Sequence, residues 1–174
     1  EGSAPAPFTS VAASGDGTKS YQWQFSTDSI SYSNVLSGGL NATYTSDPLT
    51  QKTWFRRISY ATIDTKTCFR ITDTIRVKVI SFDPGEIGTN QTICEGEIPA
   101  LLTETVAVSG NGTITYLWQS SLDNSDWNNI TGATSATYAP GALTKDTYFR
   151  RQVTATLDGR TCIEWTPSII VRIN

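Results

Sequence analysis

The chain has 174 residues, enough for one large domain or two of roughly 90 residues. Hydrophobic residues make up 38% of it and charged residues 17%, a composition typical of globular rather than disordered proteins. The net charge of −3 leaves no basic surplus to neutralise phosphates, so we expect no nucleic-acid partner. No apolar run approaches the ~18 residues of a membrane span, so we expect no membrane insertion.

Histidine is absent from the sequence. This removes the commonest general base, the Ser-His and Cys-His nucleophile pairs and most zinc sites. We therefore expect no catalytic residues, no cofactor and no metal site, and we expect that the chain is not an enzyme.

The first half of the chain contains a pattern that returns in the second half. Tyr21–Gln24 (YQWQ) is matched by Tyr116–Gln119 (YLWQ), and Thr53–Arg57 (TWFRR) is matched by Thr147–Arg151 (TYFRR). Further matches keep the same order and nearly the same spacing, which chance does not produce. The sequence therefore predicts two copies of one domain.

The repeat sets the predicted domain boundaries. Residues 1–81 are the first copy and residues 82–174 are the second, with a short linker at Ser81–Gly85. Pro84 restricts the backbone of this linker, so we expect the pair to form a semi-rigid rod.

Strands are predicted throughout, because helical periodicity is missing and Gly, Pro, Asn and Asp recur at short intervals. In the second copy, turn signals at Gly110–Gly112 and Asp158-Gly159 separate the strand-like runs. The predicted strands are Leu102–Ser109, Thr113–Ser121, Asp126–Ile130, Ala136–Tyr138, Thr147–Leu157 and Arg160–Ile173. About seven short strands per copy indicate an all-β fold of two tandem immunoglobulin-like Greek-key β-sandwiches.

One tryptophan occupies the same strand position in each copy, Trp23 in the first and Trp118 in the second. Both are flanked by glutamine, which fits a strand with one buried face. A surface aromatic for ligand stacking is the alternative. We favour burial, because tryptophan occupies this place in both copies; a buried tryptophan there contributes several kcal/mol.

Each copy also carries adjacent arginines, Arg56-Arg57 and Arg150-Arg151. Neighbouring strand residues point to opposite faces, so one arginine of each pair faces the core side. These residues either contact an anion or glycan, or cover apolar surface and pair with a carboxylate, which we favour. Asp123–Asp126 offers oxygen ligands for calcium but lacks the glycine of a calcium loop, so a solvated turn is favoured.

The three cysteines predict disulfides, given the acidic, histidine-free composition. Cys94 precedes the first strand of the second copy, and Cys162 begins its last strand. Because first and last strands of a Greek-key sandwich can run parallel, we expect a Cys94–Cys162 bridge worth roughly 2–4 kcal/mol.

Cys68 corresponds to Cys162, and its expected partner is a cysteine preceding Glu1; a free Cys68 is the alternative. The chain has no methionine and no visible signal peptide, so we expect an internal or processed segment. On this interpretation the first copy lacks its first strand.

Several segments together resemble the Ig-like repeats of very large surface adhesins of the Bacteroidota. The segments that carry the resemblance are Gln91–Gly96, Ile114–Ser121, Ile130–Tyr138 and Leu143–Arg151. The resemblance implies an exported protein, often a substrate of the type IX secretion system, displayed as a long filament outside the cell. It carries over no functional residue, because the repeat motif is structural.

Two short motifs look like the Asp-Ser/Thr-aliphatic O-glycosylation site of the same bacteria. They are Asp28-Ser29-Ile30 and Asp73-Thr74-Ile75, so the acceptor hydroxyls would be those of Ser29 and Thr74. A mass increase on either residue would reveal the modification.

We expect a structural segment of an extracellular adhesin filament on the cell surface, used for attachment or gliding motility. Its expected partners are neighbouring repeats of the same long chain. The alternatives are a sandwich module that binds a glycan or another surface protein, and a spacer domain of a secreted hydrolase.

Overall fold

The computed structural model describes residues 4–174, and the chain divides after Val79 into two compact units. We call the part up to Val79 unit 1 and Ile80–Asn174 unit 2. Every regular element among the described residues is a β-strand, so the fold is all-β with several sheets. The predicted boundary after residue 81 lies close to this division.

The described part of unit 1, from residue 4 on, contains five strands. They are β1 (Thr18–Ser26), β2 (Ser33–Asn34), β3 (Thr53–Ile63), β4 (Lys66–Ile71) and β5 (Ile75–Val77). They form one sheet of order β2-β1-β3-β4, in which β5 pairs with the start of β3. Phe8 and Tyr44 form an isolated antiparallel bridge, and both pack with the core residues of this sheet.

Unit 2 contains ten strands. They are β6 (Phe82–Asp83), β7 (Glu86–Ile87), β8 (Gln91–Ile93), β9 (Glu104–Val106), β10 (Ser109–Gly110), β11 (Thr113–Ser121), β12 (Asn128–Asn129), β13 (Thr147–Leu157), β14 (Arg160–Trp165) and β15 (Ile169–Ile173). The main sheet has the order β12-β11-β13-β15-β8, and β14 also pairs with β13. Two small sheets, β7-β9 and β10-β6, complete the unit.

Strict alternation along β13 explains why this segment is a strand. Its odd-numbered positions from Thr147 to Ala155 are buried, and the even-numbered positions between them are only partly so. Side chains of a strand alternate between its faces, so one face of β13 lies on the core and the other faces outward. Phe149 and Val153 on the inner face are among the most buried residues of the unit.

Each unit has one apolar core built around a tryptophan. Trp23, which the sequence predicts to be buried, is 1% exposed and packs with Phe8, Val35 and Phe55. Trp118 is 0% exposed and lies in the core of unit 2. Both tryptophans stand opposite an arginine of the long neighbouring strand, in the same register in the two units.

The hairpin between β13 and β14 turns at Asp158-Gly159, as the sequence predicts. Both residues have positive φ, 51° and 76°. A two-residue hairpin of type I′ requires positive φ at both central positions, and Asp-Gly is one of the sequences that provide it.

The last predicted strand, Arg160–Ile173, is divided into two in the structure. β14 pairs with the second half of β13, and β15 pairs with its first three residues. Between them, Thr166 exchanges hydrogen bonds with Arg151, its Oγ1 accepting from the Arg151 N–H and its own N–H donating to the Arg151 carbonyl. The Thr166 hydroxyl takes the place of a backbone carbonyl as the acceptor of the Arg151 N–H, so regular strand pairing is interrupted here.

Three other predicted strands are shorter than expected. Leu102–Ser109 contains only β9 and the first residue of β10, and Asp126–Ile130 contains only β12. Tyr138, at the end of the predicted strand Ala136–Tyr138, forms an isolated bridge with Leu102.

Candidate functional site

The inward arginines lie against the core tryptophans. Arg151 is 0% exposed, and its guanidinium lies 4.4 Å from the ring centre of Tyr116 and 6.0 Å from that of Trp118. It donates to the carbonyl of Ala136 at 2.7 Å and forms an ion pair at 2.8 Å with Glu104. Its Nε has no hydrogen-bond partner within residues 4–174, so the aromatic faces are its main environment.

Arg57 repeats this arrangement in unit 1. Its guanidinium lies 4.5 Å from the ring centre of Tyr21 and donates to the carbonyls of Ala42 and Val11. The inward arginines are therefore structural, since each ties the long strand to backbone on the facing side of the unit.

The outward arginines lie on the opposite face of the same strands. In unit 2, Arg150 lies between two tryptophans, 4.1 Å from the ring centre of Trp127 and 5.3 Å from that of Trp165. Trp165 pairs with Gln152, two positions after Arg150, so the two side chains share a face. The Trp165 side chain is 44% exposed, so this face is open to solvent. Partial burial between the two rings lowers the pKa of the Arg150 guanidinium from its ordinary value.

A chain of hydrogen bonds continues from Arg150 across the sheet. Its Nε donates to Gln119 Oε1 at 2.7 Å, and Gln119 Nε2 donates to Asn129 Oδ1 at 2.7 Å. We call Trp127, Arg150, Trp165, Gln119 and Asn129 the outward face of unit 2. It combines flat aromatic rings with amide and guanidinium groups, which is the chemistry that holds a polar ring-shaped ligand.

Unit 1 has the same hydrogen-bonded chain but one fewer aromatic ring. Arg56 lies 3.7 Å from the ring centre of Tyr32 and donates to Gln24, which donates to Asn34. Ile71 occupies the position of Trp165. The second tryptophan is therefore particular to unit 2.

A carboxylate organises the turn after the first long strand of each unit. Asp28 Oδ1 accepts from the N–H groups of Ile30 and Ser31 at 2.8 Å and from the Ser26 hydroxyl at 2.7 Å. These hydrogen bonds lower the pKa of Asp28 from 3.8 to about 2. The two backbone N–H groups contribute most to this lowering, followed by the Ser26 hydroxyl.

Asp123 makes the corresponding turn in unit 2. It accepts from the N–H groups of Asp126 and Ser125, which lower the pKa of Asp123, and from the Ser121 hydroxyl. The segment Asp123–Asp126, considered above for calcium, is a hydrogen-bonded turn. Residues 4–174 contain no cluster of acidic or cysteine side chains suited to a metal ion.

The two predicted glycosylation residues lie at the same end of unit 1. Ser29 and Thr74 are both exposed, and the Thr74 hydroxyl is 3.5 Å from the hydroxyl of Tyr32. Their counterparts in unit 2, Asn124 and Ser168, are joined by a 2.8 Å hydrogen bond. Modification of Ser29 and Thr74 stays a prediction.

The expected disulfide between Cys94 and Cys162 is not formed, and Cys68, Cys94 and Cys162 are all free. β8 does run parallel to the last strand, but it pairs with β15, whereas Cys162 lies in β14. Cys94 therefore lies at the end of the unit near the start of β13, and Cys162 near the end of β13. The expected partner of Cys68, a residue preceding Glu1, lies outside the described residues.

Sequence reasoning missed Glu104, the ion-pair partner of Arg151, and the pair formed by Trp165 with Arg150. The alternation of the last strand carries a signal for Trp165, because Ile163 and Trp165 share its outward face. Nothing in the sequence around Glu104 predicts its ion pair, since its partner Arg151 lies on a strand that is distant in sequence. In the part of the chain that the structure describes, no helix has the length and apolar character needed to cross a membrane.

The outward face and the buried arginine–tryptophan stack are features of a repeated β-domain. A family model described as Domain of unknown function (DUF8696) matches residues 1–80 and 83–174, so the chain belongs to this family. A search of curated proteins found no match to the chain.

Proposed function

We propose that this chain is a structural segment of an extracellular bacterial adhesin filament, built of two tandem immunoglobulin-like Greek-key sandwiches. The filament is displayed on the cell surface, after type IX secretion, and serves attachment or gliding motility. Sequence resemblance to adhesin repeats supports this proposal, as does the framework of buried tryptophan, inward arginine and Asp turn that recurs in both units.

The observation that carries the proposal is the parallel pairing of the terminal strands of unit 2. β8 pairs with β15 through three residue pairs, and the Asn174 N–H donates to the Ile93 carbonyl at 2.9 Å. Parallel neighbours make evenly spaced hydrogen bonds. The first strand of the main sheet and the last strand of the unit are thus directly bonded.

The ends of unit 2 lie at opposite ends of β13. The Ser81 carbonyl accepts a hydrogen bond from the Asn111 N–H. The next residue, Gly112, lies close to Thr156 near the end of β13. At the other end, Asp146 accepts from the Ile173 N–H. With 11 residues, β13 spans about 35 Å between these points.

A pulling force on both ends therefore loads the β8–β15 pair in shear. Since the strands are parallel, the force moves them past each other along their length, and their bonds must break together rather than one at a time. Such a pair resists force for longer than an antiparallel hairpin that opens from its end. This is the property that a load-bearing filament requires.

Single-molecule pulling of the chain held at its two ends tests the proposal. We expect two unfolding events, with unit 2 unfolding at the higher force, because forced unfolding reports the barrier set by the bonds under load. Unit 1 is the internal control, since its β5 pairs only with β3 within the described residues. Unfolding of unit 2 at a force no higher than that of unit 1 would contradict a load-bearing role.

A glycan-binding module is the second candidate, and the outward face of unit 2 favours it. The substitution Trp165→Ile gives unit 2 the residue that unit 1 has at this position, so it removes one ring with little other change. If the face binds glycans, a glycan array should show binding by the chain that Trp165→Ile reduces about tenfold or more. Binding unaffected by the substitution would exclude this face as the glycan site.

A third candidate, a spacer in a secreted hydrolase, is distinguished by the domains encoded beside this segment.

A further inference from the structure

The outer edge of β14 is open in unit 2, all of which lies within the described residues. There β14 pairs with β13 alone, whereas β8 covers the edge of the following strand, β15. Every position of β14 except Cys162 is exposed. An open edge of this kind is a template for pairing with another strand.

The unpaired backbone groups of this edge belong to Thr161 and Ile163. The N–H and C=O of Arg151 both bond to Thr166, so they point toward the last strand. Backbone groups alternate in direction along a strand, so in the register of β13 with β14 Cys162 bonds to β13. Its neighbours Thr161 and Ile163 therefore direct their N–H and C=O groups to the open edge.

The charges of β14 are complementary to those of a second, antiparallel copy of the same strand. Arg160 and Glu164 lie two positions to either side of Cys162, so all three side chains share one face. Both charged side chains are exposed, and neither forms an ion pair with another residue that the structure describes. In an antiparallel pair centred on Cys162, Arg160 of each copy lies opposite Glu164 of the other.

The direction of the backbone makes these contacts close. Because Cys162 bonds to β13, it would face its own copy in a pair without hydrogen bonds, and so would Arg160 and Glu164. Side chains approach most closely at such pairs. Opposite charges placed directly across from each other stabilise strand pairing, and like charges destabilise it.

The equivalent strand of unit 1, β4, has the opposite charge pattern. Cys68 pairs with Ala61 of β3 as Cys162 pairs with Ala155 of β13, so the two hairpins have the same register. Here the residues two positions to either side of the cysteine are both basic, Lys66 and Arg70. Antiparallel self-pairing would place these like charges opposite each other, so it is unfavourable in unit 1.

We propose that β14 pairs with β14 of a second copy of this chain, antiparallel and across a two-fold axis at Cys162. Thr161 of each copy exchanges main-chain hydrogen bonds with Ile163 of the other, and an ion pair between Arg160 and Glu164 lies on each side of the axis. Only a few residues of each copy take part, so the dimer is weak. This lateral association goes beyond the load-bearing role and does not depend on it.

Cysteine cross-linking tests the proposal, because the Cα atoms of the two Cys162 residues would be about 4.5 Å apart, within the range that a disulfide spans. The variant Cys68→Ser/Cys94→Ser keeps only Cys162, and the variant Cys94→Ser/Cys162→Ser keeps only Cys68. Oxidised glutathione is the oxidant: two protein thiols become one disulfide, and the glutathione disulfide is reduced to two thiols.

We expect the chain with Cys162 to form covalent dimers about tenfold or more faster than the chain with Cys68, because only its strand edge attracts its own copy. Exposure alone predicts the reverse order, since Cys68 is exposed and Cys162 is only partly so. Cross-linking through Cys68 that is as fast as through Cys162 would overturn the proposal.

Exchange of the two charges locates the contact in the chain that keeps Cys162. Arg160→Glu and Glu164→Arg each place like charges opposite each other, so either should slow cross-linking about tenfold. The double variant, and an equal mixture of the two single variants, restore opposite charges and should recover the rate. Unchanged single variants, or a double variant as slow as they are, would contradict the assigned register.

Amide hydrogen exchange on the unaltered, reduced chain tests the contact without a covalent bond. The N–H groups of Thr161 and Ile163 should exchange more slowly at high than at low protein concentration. The N–H of Cys162, which already bonds to β13, is the internal control and should not change. A chain that sedimentation equilibrium finds monomeric at high concentration would mean that this edge takes another polypeptide or none, and would overturn the assignment.

Discussion

At the scale of single residues, the most informative side chains are the two aspartates that organise turns. Asp28 and Asp123 occupy equivalent positions and each accepts two backbone N–H bonds and one hydroxyl. The ionised carboxylate accepts these bonds more strongly than the neutral acid does, so the pKa of each is lowered.

We predict that Asp28→Asn lowers the stability of unit 1 near neutral pH and that this difference disappears in acid. The pKa of Asp28 falls from 3.8 to about 2 on folding, so its contribution is complete above the unfolded value. It is lost as the pH falls through the folded value, between about pH 4 and pH 2. Urea unfolding midpoints at several pH values measure this.

The control for this prediction is Asp16→Asn, which changes an exposed aspartate of the same unit. Its unfolding midpoint should follow that of the unsubstituted chain across the same range. An Asp28→Asn deficit that stays constant down to pH 2 would show that the turn depends on side-chain shape rather than on charge.

At the scale of elements, Arg151 joins two parts of unit 2 that are far apart in sequence. It projects from β13 to Glu104 of β9 and donates to the carbonyl of Pro84, beside β6. The long strand is thereby fixed to the facing small sheets. Removal of Arg151 leaves two carbonyls and a carboxylate without their cation.

We predict that Arg151→Met destabilises unit 2 by about 3 kcal/mol, near the lower limit for breaking a buried ion pair because Glu104 is partly exposed. Equilibrium unfolding in urea measures this. Arg57→Met is the matched substitution in unit 1 and should cost less, since Ser10 stands where unit 2 has Glu104. A loss from Arg57→Met as large as that from Arg151→Met would contradict the importance of Glu104.

At the scale of the whole molecule, the repeat explains both what the units share and what differs. The strand registers of β1 with β3 and of β11 with β13 are the same, including the pairing of each tryptophan with an arginine. One difference is an additional tryptophan on the outward face of unit 2. The framework is therefore constant, and binding functions are expected where the copies differ. The semi-rigid rod stays a prediction.

The cysteines show why topology alone was insufficient for the disulfide prediction. The sequence predicts a parallel course of the first and last strands, and β8 and β15 do run parallel. The register was not predictable, because it depends on where Thr166 interrupts the last strand. That interruption assigns Cys162 to β14 and leaves β15 to pair with β8, so the two cysteines lie at opposite ends of the unit.

The repeat, the all-β class, the bounds of β11 and β13 and the hairpin at Asp158-Gly159 could all be predicted from the sequence. These features depend on the alternation of apolar and polar residues along a strand and on turn-forming residues, and both can be recognised from neighbouring positions in the sequence. The Glu104–Arg151 ion pair and the stacking of Arg150 between Trp127 and Trp165 are visible only in the folded units. Each of these depends on strand register across long sequence separations, which a pattern along one strand does not specify.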